Sequence, residues 1–197
     1  MEKVMDFARR LCKMSLWFGG ALVLLAALLI GIDVLLRKFF ETSIGGADEL
    51  AGYSLALGTS WALGAALLDR AHIRIDSLYT FFPRGLRLAL DLVGLALFLG
   101  FFGLVAVRGW EVVEQSWISS SRSHTALETP TVIPQFLWVA GFAILLMVGG
   151  ALFVHAILLM ARGQRGAATR VISTRSAAEE VEDEIRSIEE RKSGGAR

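Results

Sequence analysis

The chain has 197 residues, 54% of them hydrophobic and only 20% charged, with a mean hydropathy of +0.56. The apolar residues are gathered into long uncharged runs that a water-soluble fold cannot hide, which excludes an ordinary soluble domain. The net charge of +1 says little about partners because the charges are segregated along the chain, and no nucleic-acid partner is expected. The N-terminal segment carries Val4, Phe7, Leu11 and Met14 at i, i+3, i+7 and i+10, with Lys3, Arg9, Arg10 and Lys13 between them. Two readings fit that pattern: an amphipathic helix lying on the membrane surface, or a plain extension of the first membrane helix.

Four runs are long enough to cross about 30 Å of hydrocarbon, which takes roughly 20 helical residues. Met14–Ile32 and Leu50–Leu68 contain no Asp, Glu, Lys or Arg, Leu92–Val107 is equally clean, and Gln135–Ala161 has His155 as its only titratable residue. They predict membrane helices at about 14–36, 49–68, 86–107 and 135–161. The first is too long for a signal-peptide core, and no small-x-small cleavage site follows it, so it reads as a retained anchor. The fold class expected is an all-α integral membrane protein, with a four-helix membrane domain over residues 1–162 and a cytoplasmic charged tail over 163–197.

Orientation follows the Lys and Arg residues. Lys3, Arg9, Arg10 and Lys13 precede helix one, Arg70, Arg74, Arg84 and Arg87 lie in loop two, and Arg162, Arg165 and Arg170 follow helix four. Loop one has only Arg37 and Lys38, and the long loop three only Arg108 and Arg122. Both termini and loop two are therefore expected in the cytoplasm. Helix three should project past the membrane through Trp110–Glu114, the run Ser119–Ser123 should break it, and Thr129-Pro130 and Ile133-Pro134 should hold an extended approach to helix four. In the tail, Ala178, Val181, Ile185 and Ile188 form one stripe on a strongly acidic segment, which reads as a solvated helix, a disordered tail or a partner-docking helix.

Catalytic chemistry is missing from this pattern. There is no phosphate loop, dinucleotide fingerprint or nucleophile elbow, and the lone Cys12 excludes an internal disulfide or a cysteine metal site. His72, His124 and His155 are too scattered for zinc, so no metal and no cofactor is expected. Asp33, Asp48, Glu49, Asp69 and Asp91 all sit at helix ends, leaving no coupling-ion site at mid-membrane. Arg37, Asp48, Glu49, His72, Arg74 and Asp76 are the candidate interfacial or lipid-contacting charges. Asp33 and Arg37 are one turn apart and can pair, and Asp48-Glu49 opens helix two, where carboxylates either cap the helix or meet a partner subunit. The alternation of His72, Arg74 and Asp76 with Ile73 and Ile75 fits a lipid-phosphate strip or a rigid turn. In helix two, Gly52, Ala56, Ser60 and Gly64 recur at i+4, a small-residue strip that lets another helix approach closely, with Trp61 beside it facing protein. The strip serves the four-helix bundle itself or a seam with another subunit.

The segments Asp33-Val34-Leu35-Leu36-Arg37-Lys38-Phe39-Phe40, Ala47-Asp48-Glu49-Leu50-Ala51, Gly58-Thr59-Ser60-Trp61-Ala62-Leu63-Gly64-Ala65-Ala66, Ala71-His72-Ile73-Arg74-Ile75-Asp76 and Phe82-Pro83 resemble, in order and spacing, the small permease subunit of tripartite ATP-independent periplasmic (TRAP) transporters, the DctQ-like proteins. Ser123-Thr125-Ala126-Leu127 with Thr129-Pro130 and Ile133-Pro134 is similar to that family's loop before helix four, so the likeness spans roughly Met14 to Met160. The resemblance implies a scaffold subunit of a bacterial inner-membrane, ion-gradient-driven uptake system. Its partners would be a large TRAP permease subunit carrying the solute and sodium sites, a periplasmic solute-binding protein that delivers an organic acid, and membrane lipids. A membrane anchor of a redox complex and a small self-assembling channel are the alternatives that the residues alone leave open.

Overall fold

The computed structural model describes residues 2–69 and 82–172, together with Ile185 and Ile188. Five helices account for nearly all of it: α1 Glu2–Phe40, α2 Ala47–Leu68, α3 Arg84–Ile118, α4 Val132–Ala161 and the short α5 Arg165–Ile172. The described residues are all-α, with no strand beyond the single bridge between Arg122 and Pro130. Four spans, Asp6–Phe40, Ala47–Leu68, Gly85–Ile118 and Val132–Ala161, are long and apolar enough to cross a membrane.

The helices run further than their uncharged cores. Residues 2–13 form the first turns of α1 without a break. At its other end α1 stays helical through Phe40, where Arg37 pairs with Asp33 one turn back. The projection of α3 continues to Ile118, supported by an Arg108–Glu111 ion pair at i, i+3 (2.9 Å). It then stops as the serine run begins. Ser120 takes a left-handed conformation (φ 50°), and the amides of Ser120 and Ser121 bond back to the carbonyls of Trp117 and Ser116, closing the last turn in a Schellman motif. The approach to α4 differs from the extended one expected. Pro130 is extended, but Pro134 lies inside the first turn of α4. A proline is at home there because first-turn amides have no helical acceptor to lose.

The tail differs too. Gly163 is left-handed (φ 74°), and the amides of Gly163 and Gln164 close on the carbonyls of Met160 and Leu159, a second Schellman turn. Beyond that turn, α5 packs on α4 and α3. Of the acidic stripe beyond it, only Ile185 and Ile188 are described, as helical residues about half exposed.

The membrane helices form an open row rather than a closed bundle. In space the order is α1, α2, α4, α3, each packed on the next, with α1 and α3 at the two ends. Lipid tails are as apolar as leucine, so helices in a membrane gain from close contact rather than from hiding apolar surface. The seams show it. α1 presents Ala8, Cys12, Ser15 and Gly19 to its neighbours, all buried, while Phe7, Met14, Trp17, Leu24 and Leu28 point outward. At Gly19 and Gly58 the backbones of α1 and α2 touch: a Cβ on Gly19 would lie 3.0 Å from the Gly58 carbonyl oxygen. The α2–α4 seam is tighter still, since a Cβ on Gly141 would lie 2.6 Å from Ser60 Oγ and 2.9 Å from the Ser60 carbonyl carbon. Between α3 and α4 the fill is aromatic, with Phe98, Phe102, Phe142 and Trp138 in sequence at centroid separations of 4.7, 5.6 and 4.7 Å.

Hydroxyls inside the spans are satisfied locally. Ser15, Ser54 and Thr59 donate to carbonyls one turn back, and Ser60 donates to Leu57, the usual solution where no water is at hand. The expected outcome for the tightest seam is specific. Gly141→Leu forces apart backbone that cannot yield and costs about 1–3 kcal/mol, read as a fall in Tm of the purified protein in detergent. Gly52→Leu, on an exposed turn with open space around it, leaves Tm near that of the unaltered protein.

Candidate functional site

The residues singled out in the sequence fall in two places, a polar cap at the loop-one end of the row and the α2–α4 seam. The cap begins with Asp33. Its side chain is 3% exposed, although α1 around it is largely exposed to the membrane. One carboxylate oxygen accepts the Ile44 backbone amide (2.6 Å) and the Ser43 hydroxyl (2.9 Å), and the other meets Arg37 Nη2 at 2.5 Å. Arg37 Nε in turn donates to Ser43 Oγ (3.2 Å), and its guanidinium lies 3.7 Å from Asp48. A charge taken out of water persists only when its lone pairs are filled and a counter-charge stands beside it. Here the six-residue return between α1 and α2 fills the lone pairs through Ser43 and Ile44, and Arg37 of α1 supplies the counter-charge. The loop is folded around the carboxylate.

Gly46 then turns the chain into α2. It is left-handed (φ 88°) and serves as N-cap without a side-chain bond, and the Leu127 side chain presses against the space a Cβ would occupy. Only glycine satisfies both the backbone conformation and that contact. Asp48 and Glu49 follow in the first turn, where carboxylates meet the positive end of the helix dipole. Asp48 is 85% exposed. Glu49 reaches further: it accepts the Tyr53 hydroxyl one turn on (2.7 Å) and the Thr125 hydroxyl from loop three.

Loop three is itself ordered. Ser123 donates its amide to Thr129 and Thr131 to Ser121, giving a narrow antiparallel return around the Arg122–Pro130 bridge. Arg122 Nη1 donates to the Glu128 carbonyl (3.2 Å). Its tip, Thr125–Leu127, lies on loop one: a Cβ on Gly45 would stand 3.1 Å from Ala126 Cβ. The end of α1, the start of α2 and loop three are thus locked together by Asp33 and Glu49.

In the second place, Trp61 donates its indole N–H to the Leu137 carbonyl of α4 at 2.8 Å and stacks obliquely on Phe18 of α1 at 4.9 Å. Ser60 is 1% exposed against Gly141, and Gly64 is buried near Cys12, Ile144 and Leu145. Gly52 and Ala56 are exposed. The i+4 strip therefore changes surroundings along its length, buried within the chain at its Gly64 end and open at its Gly52 end. His72, Arg74 and Asp76 lie outside the described residues.

Sequence reasoning did not single out Ser43, Gly141 or the α1 face made by Ala8, Cys12, Ser15 and Gly19. A signal for the last was present, since small residues recur there at spacings of four, three and four. No group of three His, Cys, Asp or Glu side chains among the described residues is placed to hold a metal. The chemistry available to the cap is that of a lock.

Asp33→Ala strands the Ile44 amide and the Arg37 guanidinium and is expected to lower the detergent Tm by several degrees. Arg37→Ala, removing a half-exposed partner, is expected to lower it less, and the comparison is read by thermal unfolding of the two variants side by side.

The family model described as "Tripartite ATP-independent periplasmic transporters, DctQ component" matches residues 25–159, a stretch that holds the whole cap and the α2–α4 seam. No curated protein and no solved structure matches the chain.

Proposed function

Because the chain belongs to the DctQ family of TRAP transporter components, a family of transporter subunits rather than enzymes, we propose that it is the fixed scaffold subunit of an ion-gradient-driven uptake system. It works beside a large permease subunit, which carries the solute and ion sites and takes a small solute, an organic acid, from a periplasmic binding protein. It sits in the bacterial inner membrane with both termini and loop two in the cytoplasm and the Asp33–Glu49–Thr125 cap in the periplasm. That orientation is supported by the distribution of Lys and Arg.

One observation carries the scaffold reading. Two carboxylates of the cap, Asp33 and Glu49, are committed to contacts within the chain at the ends of helices, Asp33 to loop one and Glu49 to loop three, and Asp48 is exposed at the start of α2. A coupling-ion site requires ionisable groups or broken helices facing a cavity at mid-depth. At that depth α1 and α2 present glycine, serine and tryptophan packed against neighbours. Exposed apolar faces on α1 and α3, including Leu24, Leu28, Leu97 and Phe101, leave both ends of the row available to lipid and to the large subunit. The open end of the small-residue strip, Gly52 and Ala56, is a further place for close approach by that partner.

Reconstitution tests this. Proteoliposomes containing this chain alone, supplied with the matching binding protein loaded with its own ligand, are expected to show no sodium-dependent uptake, and adding the large subunit is expected to restore it. Saturable uptake by this chain alone overturns the scaffold assignment.

A further inference from the structure

We propose that the lipid-facing surface of this chain is a diagonal band, and that the bilayer meets the row of helices at a tilt of roughly 30° instead of square to their axes. A stagger between the two halves of the row is the observation behind it. Within each half the uncharged runs are in register. Gly58, near the middle of the Leu50–Leu68 run of α2, packs on Gly19 and Val23 of the Met14–Ile32 run of α1. Leu99, in the middle of the Leu92–Val107 run of α3, packs on Gly149 in the middle of the Gln135–Ala161 run of α4. Between the halves the register fails. Gly149 also meets Leu67, the last residue but one of the α2 run, whereas the centre of that run is Thr59. At 1.5 Å per residue, the step from Thr59 to Leu67 offsets the two halves by about 12 Å along the helix axes.

The charges show what that offset entails. Cys12 of α1 lies on Gly64, and Gly64 lies against Leu145 of α4, one turn from the Phe142 that stacks on Phe102 of α3. Arg9, Arg10 and Lys13, all exposed, therefore stand level with the middle of the α3 run. At the other edge Gly109 of α3 packs on Trp138 and Val139, and Gly141 packs on Ser60. The exposed Arg108–Glu111 pair therefore stands level with the middle of the α2 run. A bilayer square to the helices immerses one group or the other. Centred on α1 and α2 it buries Arg108 and Glu111, and centred on α3 and α4 it buries Arg9, Arg10 and Lys13. Charges at the bilayer centre are strongly disfavoured. A tilt removes both conflicts. Packed helices lie about 8–10 Å apart, so an offset of about 12 Å across two spacings corresponds to roughly 30°, inside the range that membrane helices adopt.

Two tryptophans mark the same tilt independently. Phe18 stacks on Trp61, Trp61 donates to the Leu137 carbonyl, and Phe136 faces Trp110 at 6.4 Å. Trp17 and Trp110 are therefore level along the helix axes. Both are exposed, yet Trp17 lies at the N-terminal edge of the α1 run and Trp110 just past the C-terminal edge of the α3 run. On a tilted row these two edges fall at opposite faces of the bilayer, and each indole reaches a headgroup layer. The inference rests on the four helices crossing a membrane and holds whatever the chain supports.

Spin labels test the band. Single cysteines are placed in the full chain with Cys12→Ser, reconstituted in phosphatidylcholine vesicles, and depth is taken from collision with oxygen against a nickel chelate. Labels at Leu24 and Leu97, exposed near the middles of the α1 and α3 runs, are both expected near the bilayer centre. Labels at Leu16 and Val107, exposed and level with each other along the axes, are both expected to be shallower by about 10 Å. A square seat cannot give that pattern, because Leu24 and Leu97 lie on opposite sides of the Leu16–Val107 level. A label at Leu24 or Leu97 no deeper than those at Leu16 and Val107 overturns the inference. The angle is read by solid-state NMR of the full chain in oriented bilayers, isotope-labelled at phenylalanine so that Phe98, Phe101 and Phe102 report on α3. A tilt of about 30° is expected, and one below about 15° overturns the inference.

Discussion

A single buried carboxylate holds the loop-one end of this molecule. Asp33 is enclosed on a helix whose surroundings are otherwise apolar, and three donors converge on it from Arg37, Ser43 and the Ile44 amide. The alternative to that convergence is an uncompensated charge at the membrane edge, which is costly enough to make the loop conformation close to obligatory. Loop one, so fixed, sets the start of α2 at Gly46, and the start of α2 sets Glu49. Glu49 in turn fastens loop three through Thr125. Loop three is the connection between α3 and α4, so the chain of contacts that begins at Asp33 reaches every membrane helix.

Further into the membrane the organising constraint changes from charge to closeness. Association there depends on shape, because burying a leucine against protein gains little over leaving it in lipid. Small residues therefore decide which helices touch: Gly19 with Gly58, Gly64 with Cys12, and Gly141 with Ser60 and Trp61. These contacts are pairwise and sequential, and they produce a row with two broad apolar flanks instead of a bundle with one core. α4 joins the two halves. Leu145 and Ala156 are fully enclosed, and the indole of Trp61 finds its one acceptor on the same helix. A row of this kind has the shape of a wall, with flanks suited to lipid or to a larger neighbour.

Much of this was legible in the sequence, and the reasons are particular. Four uncharged runs give four spanning helices because the bilayer sets their length. The i, i+4 spacing of Asp33 and Arg37 gives their pairing because neighbours on a helix surface must meet. Trp61 had to face protein because an indole N–H at mid-depth has no water to bond. What was less legible lay across long sequence separations. That Glu49 takes its partner from loop three, 76 residues away, depends on how the row folds back on itself. The projection of α3 past its apolar core and its stop at the serine run were legible in Trp110–Glu114 and Ser119–Ser123, whereas Pro134 read as part of an extended approach when its place was the first turn of α4. The docking of α5 followed a left-handed glycine, Gly163, in what composition alone marked as a polar tail.

The central claim, that this chain keeps one conformation while solute moves, is tested by locking the cap. A Cβ on Gly45 would lie 3.1 Å from that of Ala126, close to the separation of about 3.5–4.5 Å that a disulfide adopts. Cysteines at both positions, in a Cys12→Ser background, are expected to cross-link under mild oxidation. The measurement is sodium-dependent uptake by the complete transporter before and after that oxidation. The expected result is unchanged uptake with the cross-link formed. Uptake that falls on oxidation and returns on reduction would mean that the cap moves during transport, and would contradict a fixed scaffold.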